Sequence, residues 1–459
     1  MIQFSSFTFI FVFFPCVLIC YHALRTRGMH DRAFEWLILC SIIYYGSANF
    51  MNLPVLLASI AYNFVVAHRI GSARDSDVGV FNCDRRKLWL TLGISGNLML
   101  LGYYKYFDAL PLGISFFTLL QVIYLVDCYE RILAPLNVRE HALVATFFPT
   151  VLMGPILRTR DFIPQVRLSY DALTVDRLIS STFLFSIGLF KKVVLADSFA
   201  IVVDAGYASP STLTMAEAWL CTIAYCFQLY FDFSGYSDMA VAAAMMLGFS
   251  IPNNFNSPYK AFSIVDFWKR WHISLSTFIT TYLYTTIIRS LKKATFTQAM
   301  WVTFMTMIIV GIWHGSTINF VVFGVIHGIG LVVNQVWKKY KMPLPLFPAQ
   351  LLTFMYVNFS FVFFRARTFQ DSVDVSWSLI NFNGPVALGS LGLATSTQLI
   401  IAGPVIFGTA LIFLKTNSIN LVNNFKPSLM NCCWAISAAL ISFVYINSNM
   451  AKEFIYYDF

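Results

Sequence analysis

Charge is what this sequence has least of. Asp, Glu, Lys and Arg make up 12% of its 459 residues, against about a quarter in soluble domains. Hydrophobic residues make up 58%, and Phe alone occurs 46 times. So little charge cannot cover a water-exposed surface. The chain reads as an all-α, polytopic membrane protein, with residues 1–459 forming one multi-pass domain and no appended soluble domain.

Other absences narrow the function. No Lys/Arg tract is interleaved with aromatics as a nucleic-acid groove requires, so the net charge of +9 is assigned to cytoplasmic loops and not to nucleic acid. No pair among the nine cysteines has zinc-ligand spacing. Most lie in apolar runs and read as buried thiols, so no metal is expected. The first charged residue is Arg25. The amino end therefore lacks the basic region of a cleaved signal, and residues 3–24 read as a retained first span. There is no repeat at solenoid period. There is no G-x-S-x-G, no H-E-x-x-H and no phosphate-cradling loop, since "GISGN" at 93–97 lacks the required Lys.

Long apolar runs are what the chain does have. They cover 3–24, 33–50, 52–68, 88–104, 109–126, 216–231, 237–250, 299–313, 317–336, 348–364, 399–414 and 429–449; a crossing helix needs about 20 such residues. Four basic stretches, around Arg25–Arg32, Arg69–Lys87, Lys260–Lys293 and Lys338–Lys341, are expected in the cytoplasm, with the amino terminus outside. Loop 204–216 has no Lys or Arg and is expected outside.

Two segments break the alternation. Residues 141–157 are interrupted by Pro149, Gly154 and Pro155, and 178–203 carries Lys191 and Lys192 in its middle. Either they are re-entrant segments beside a watery cavity or they are ordinary helices whose lysines snorkel. Residues 264–284 place Trp268, Trp271, His272, Leu275, Phe278 and Tyr282 on one stripe, which predicts an interface-lying amphipathic helix carrying His272 inward.

Ionisable groups at membrane depth usually have a job. Of seven histidines, His314 and His327 lie in strongly apolar runs. On one continuous helix, thirteen positions apart, they would face different ways, about 220° of rotation. His327 in "VIHGIG" reads as a hydrogen bond across helices. His314 in "GIWHGSTINF" has Gly311 and Gly315 thinning the helix, Trp313 as a wall, and Ser316, Thr317 and Asn319 as polar neighbours. A histidine with no paired nucleophile suits general-base work on an acceptor hydroxyl. In "LYFDFSGYSDMA" (229–240), Asp232 and Asp238 sit among apolar residues, and a cap or break at Gly235 is the plain structural reading.

With these stretches in hand, the sequence resembles the membrane-bound O-acyltransferase family, and most of all its bacterial branch of alginate O-acetyltransferase and the D-alanyl transfer protein of teichoic-acid modification. The matching stretches are "LPLGISFFTLLQ" (110–121), "FFPTVLMGPILR" (147–158), "GLFKKVVLAD" (188–197), "LYFDFSGYSDMA", "FNSPYKAFSIVDFWKRWHISLS" (255–276), "GIWHG" (311–315), "FGVIHG" (323–328) and the terminal "FIYYDF".

The resemblance implies a ring of roughly 11–13 membrane helices, with re-entrant and interfacial helices around a central cavity. It implies His314 and His272 as catalytic residues. Trp313, Asp232, Tyr230, Lys269, Arg270 and Arg158 are expected at the substrate. No bound cofactor is expected, only an acyl thioester donor, either acetyl-CoA or an acyl carrier protein, attracted by basic groups near Lys269, Arg270 and Lys292. The implied partners are the donor, an extracytoplasmic acyltransferase or small membrane protein, a polysaccharide acceptor and membrane lipid. The implied place is the bacterial plasma (inner) membrane. Alginate-type relatives read Arg-Asp-Tyr after "WHISLS"; this chain does not, and "HGIGLVVNQVWKK" (327–339) leans to the D-alanyl side. From another class, a membrane transporter built on Asp232 and Asp238 and a non-enzymatic scaffold are the competing readings.

Overall fold

The computed structural model describes residues 2–73, 84–107, 109–168, 173–342, 344–382, 395–413, 417–426, 428–448 and 452–455. Arg74 and the end of "FIYYDF" beyond Ile455 lie outside the described residues. The regular elements are all helices, with no strand among the described residues. Among the described residues, seven helices are long and apolar enough to cross a membrane: Phe9–Thr26, Phe50–Ser72, Val175–Tyr207, Phe296–His314, Ile318–Lys339, Leu346–Arg365 and Leu429–Asn447. Other expected crossings fall on helices that are shorter, such as Ile114–Tyr129, or that carry charge at one end, such as His30–Ala48. The expected runs 216–231 and 237–250 fall on one helix, Met215–Met246, with Asp232 and Asp238 in its interior.

The chain divides into two compact units. The first holds Met1–Phe185 and Ser237–Asn253. Its helices are α1 (Phe9–Thr26), α2 (His30–Ala48), α3 (Leu53–Ser72), α4 (Arg85–Tyr106), α5 (Ile114–Tyr129), α6 (Val138–Thr146) and α7 (Thr159–Arg167). Water is absent at membrane depth, so polar side chains between these helices must satisfy one another. Asn63 on α3 and Asn97 on α4 exchange amide hydrogen bonds of 3.1 and 2.7 Å. His141 on α6 and Gln121 on α5 are 2.9 Å apart.

Between α6 and α7 the chain makes one helical turn, Phe148–Val151, and then loses helical form. This is the interruption that Pro149, Gly154 and Pro155 predict. Its backbone is covered by protein: residues 148–157 are all buried. The small space beside it is lined mostly by apolar side chains, among them Phe117, Leu120, Val151 and Ile156.

The second unit holds Ser186–Tyr236 and Asn254–Phe459. Two helices begin or end in it: α8 (Val175–Tyr207) and α9 (Met215–Met246). The expected break at Gly235 is absent, and α9 is one helix of 32 residues. The glycine serves packing instead: a Cβ there would come within 2.7 Å of the Gly188 carbonyl oxygen on α8. Around Lys191–Ala196, α8 widens into a π-helical stretch without breaking.

The predicted amphipathic helix over 264–284 is also different in form. It is α10 (Ile264–Trp268), a turn, and then α11 (273–290), which contains a π-helical stretch at Ile279–Tyr284. The rest of the unit is α12 (Phe296–His314), α13 (Ile318–Lys339), α14 (Leu346–Arg365), α15 (Phe369–Ser378), α16 (Thr395–Phe413), α17 (Ser418–Asn423) and α18 (Leu429–Asn447).

Candidate active site

His314 is the last residue of α12, and α13 begins four residues later. The two helices are therefore an antiparallel hairpin, and the single-helix geometry that set His314 and His327 on different faces does not apply. Small residues set the spacing of the pair. A Cβ at Gly324 would lie 2.5 Å from the Met307 carbonyl oxygen, and one at Gly311 would strike the Phe320 carbonyl. In a lipid environment such close backbone approach is a main source of helix association.

The turn after His314 is held from outside the hairpin. Asn319, fully buried, donates its amide to the carbonyls of Ala366 (3.0 Å) and Thr368 (3.1 Å), just past α14. Thr368 in turn caps α15 with Asp371 in a reciprocal capping box. Of the polar neighbours read from the sequence, Asn319 does this work, while Ser316 and Thr317 are exposed.

The His314 ring is buried and lies edge-to-face against Phe364 (5.2 Å between centres) and Phe323 (5.9 Å). Trp313, half-buried, closes one side at 4.8 Å. Such a cage fixes the imidazole and excludes bulk water.

Phe323 also touches His327, at 4.5 Å. His327 is hydrogen-bonded across helices, as the sequence predicts. The Trp268 indole N–H donates to its Nδ1 (3.2 Å), and its Nε2 lies 2.9 Å from Ser360 Oγ. An indole nitrogen can only donate, so Nδ1 accepts and Nε2 carries the proton. Ser360 Oγ then accepts from His327 and donates to the Val357 carbonyl at 2.7 Å. Both ring nitrogens are thereby committed to structure.

His272 sits in the turn between α10 and α11, with φ +43° and ψ +55°. Histidine is among the residues that enter this left-handed region more readily than most. The turn is fastened by Asn254, whose carbonyl accepts from the Ile273 N–H (2.9 Å) and whose side chain accepts from both Ser274 N–H (3.2 Å) and Ser274 Oγ–H (2.6 Å). The His272 ring is fully buried, edge-on to Phe233 at 4.7 Å. It lies outside the membrane-spanning helices, and burial pushes its pKa down to about 3, so the ring is neutral and can donate one N–H. Trp271 beside it packs on Phe361 (5.4 Å), and Phe361 stacks on Phe323 (6.2 Å). A continuous aromatic layer thus runs from the His272 turn to His314.

The remaining expected site residues have other partners. Asp232 on α9 is fully buried and pairs with Lys192 of α8 at 3.0 Å, and Lys192 also pairs with Asp197 at 2.6 Å. Backbone N–H groups from the end of the chain complete this cluster: Lys452 donates to Asp197 (3.0 Å) and Ile455 to Asp232 (3.1 Å). Lys192 therefore does not snorkel, and both Asp232 oxygens are engaged within the protein. Tyr230 is buried against Phe255 and Tyr259, with Lys191 Nζ 5.5 Å from its ring centre. Lys269 is exposed, and Arg270 pairs with Asp266 at 2.8 Å. Arg158 belongs to the first unit, where it pairs with Asp161 at 2.6 Å. No group of three or more metal-ligating side chains occurs among the described residues.

Sequence reasoning did not pick out Asn254, Phe233 or Phe323, and it named Asn319 only as a polar neighbour of His314. The Asn/Pro-rich stretch around 252–258 is the local signal that could have marked Asn254 as a turn-fastening residue.

Residues 137–365 match the model of the membrane-bound O-acyltransferase family. The chain is 32% identical to a peptidoglycan O-acetyltransferase of Helicobacter pylori, over 99% of this chain and 97% of that protein. It is 33% identical to the probable alginate O-acetylase AlgI of Azotobacter vinelandii, over 87% of this chain and 82% of that protein. It is also 29% identical to a teichoic acid D-alanyltransferase of Streptococcus thermophilus, over 50% of this chain and 58% of that protein.

Proposed function

Because this chain belongs to the membrane-bound O-acyltransferase family, we propose that it moves acetyl groups from a cytoplasmic thioester toward sugar hydroxyls of the cell-wall peptidoglycan, directly or through an extracytoplasmic partner, in the plasma membrane of a bacterium. The observation that carries this choice is the 32% identity to a peptidoglycan O-acetyltransferase along 99% of the chain. The D-alanyl relative matches half of the chain.

In this reading His314 is the general base. The acceptor hydroxyl gives its proton to the His314 imidazole as its oxygen attacks the thioester carbonyl carbon. The carbon–sulfur bond then breaks, and the leaving thiolate takes that proton from His314. His272, neutral in its buried turn, donates an N–H to the carbonyl oxygen as negative charge builds there. Trp313, Phe323 and Phe364 keep water from competing with the acceptor. Lys269 and Arg270 attract the phosphates of acetyl-CoA.

Deleting the gene in the organism that carries it tests the choice of group and acceptor. The expected result is loss of base-labile acetyl esters from purified peptidoglycan, with recovery on re-expression. Unchanged acetyl esters together with loss of D-alanyl esters from teichoic acid would overturn the proposal in favour of a carrier-protein donor.

A further inference from the structure

Between Asp266 and Asp371 the sequence contains no acidic residue. Six cations from that stretch collect at one end of the α12–α13 hairpin, the end opposite His314. Arg289, Lys292 and Lys293 lead into α12, Lys338 and Lys339 close α13, and Lys341 follows. Lys339 Nζ lies 4.3 Å from the ring centre of Phe296, the first residue of α12, which brings the two groups together. All six side chains are exposed, and among the described residues none has an acidic partner. The preceding acid in the sequence, Asp266, is taken by Arg270.

Six like charges held on one helix end repel one another unless anions lie over them. What surrounds them says which anions. Phe296, Trp301, Trp337 and Tyr340 are exposed beside the cations, and exposed aromatics of this kind sit at the headgroup level of a bilayer. The Trp337 indole is fixed there by donating to the Met342 carbonyl at 2.8 Å. A docking face for a soluble protein would leave these rings in water whenever the partner was away.

We propose that this end of the hairpin binds the phosphate headgroups of anionic phospholipids, which set the depth of the hairpin in the bilayer. His314 then lies about 27 Å along α12 from the headgroup anchor, toward the far side of a hydrocarbon core about 30 Å thick. The placement rests on charge and exposure alone, so it stands or falls separately from the reaction assigned to His314.

The test uses full-length protein in phosphatidylcholine vesicles containing equal mole fractions of either brominated phosphatidylglycerol or brominated phosphatidylcholine. Subtracting the fluorescence of a Trp337→Phe variant isolates Trp337. At low ionic strength, the brominated phosphatidylglycerol is expected to quench Trp337 several-fold more than the brominated phosphatidylcholine. Replacing Lys292, Lys293, Lys338 and Lys339 by Gln should remove the preference, by about fivefold in local enrichment per charge, and salt should weaken it. A Lys338→Gln, Lys339→Gln double variant should lose part of it and guards against misfolding of the quadruple variant. Equal quenching by the two lipids, or a preference unchanged in both variants, would overturn the proposal. So would competition by soluble glycerol phosphate or by an acidic carrier protein, which would mark a site for those ligands.

Discussion

Lys192 shows how much a single residue decides here. It is buried with two carboxylates at 2.6 and 3.0 Å, and removing one partner of such a cluster leaves an uncompensated charge. Lys192→Met is expected to destabilise the protein by about 3–5 kcal/mol, read as a lower thermal midpoint in detergent. The double variant Lys192→Met, Asp232→Asn should recover part of the loss. An unchanged midpoint in the single variant would show that the cluster does not support the fold. The sequence made Lys192 and Asp232 visible as intramembrane ionisable residues, which usually pair, but did not single out Asp197. It could not show that the pairing was among themselves, because Lys192 and Asp232 are 40 positions apart and on different helices. The transporter reading drew on Asp232. The family assignment sets that reading aside, and the ion pair accounts for the residue. His327 was legible because a histidine between glycines on an apolar helix has few ways to be satisfied other than across helices. His314 stood out for the opposite reason, a break in the apolar run with glycine on both sides.

At the scale of elements, hydropathy located the helices well and their interruptions poorly. Gly235 reads as a break because glycine weakens helices, yet in α9 it makes room for the Gly188 carbonyl of α8. The opposite error occurs at His272. The stripe from Trp268 to Tyr282 continues in helical register on paper, but the chain turns at His272, held by Asn254. Periodicity cannot see a side chain that fastens a turn from 18 positions upstream. The α12–α13 hairpin gives a prediction at this scale. Gly324→Val should push the two backbones apart, since even a Cβ meets the Met307 carbonyl, and should destabilise by about 1–3 kcal/mol. Acyl transfer should fall further than folded protein does, because His314 and its Phe323 neighbour ride on the two helices. Equal loss of transfer and folded protein would mean that the helix spacing does not tune the site.

At the scale of the whole molecule, acyl transfer in the proposed function is centred on one buried histidine, His314. The all-α membrane architecture followed from low charge and long apolar runs, and the family from degenerate stretches in the right order. The acceptor did not follow, because it is recognised at surfaces for which sequence patterns carry no code. The most direct measurement is acetyl transfer from labelled acetyl-CoA supplied on one side of sealed vesicles, for wild type and for His314→Ala matched for folded protein. A general base contributes about 10²–10⁴ in rate, so the variant should fall by at least that lower factor while its thermal midpoint stays close to wild type. A folded His314→Ala protein that keeps more than roughly a tenth of wild-type turnover would contradict the account, because the proton would then be leaving the acceptor by another route.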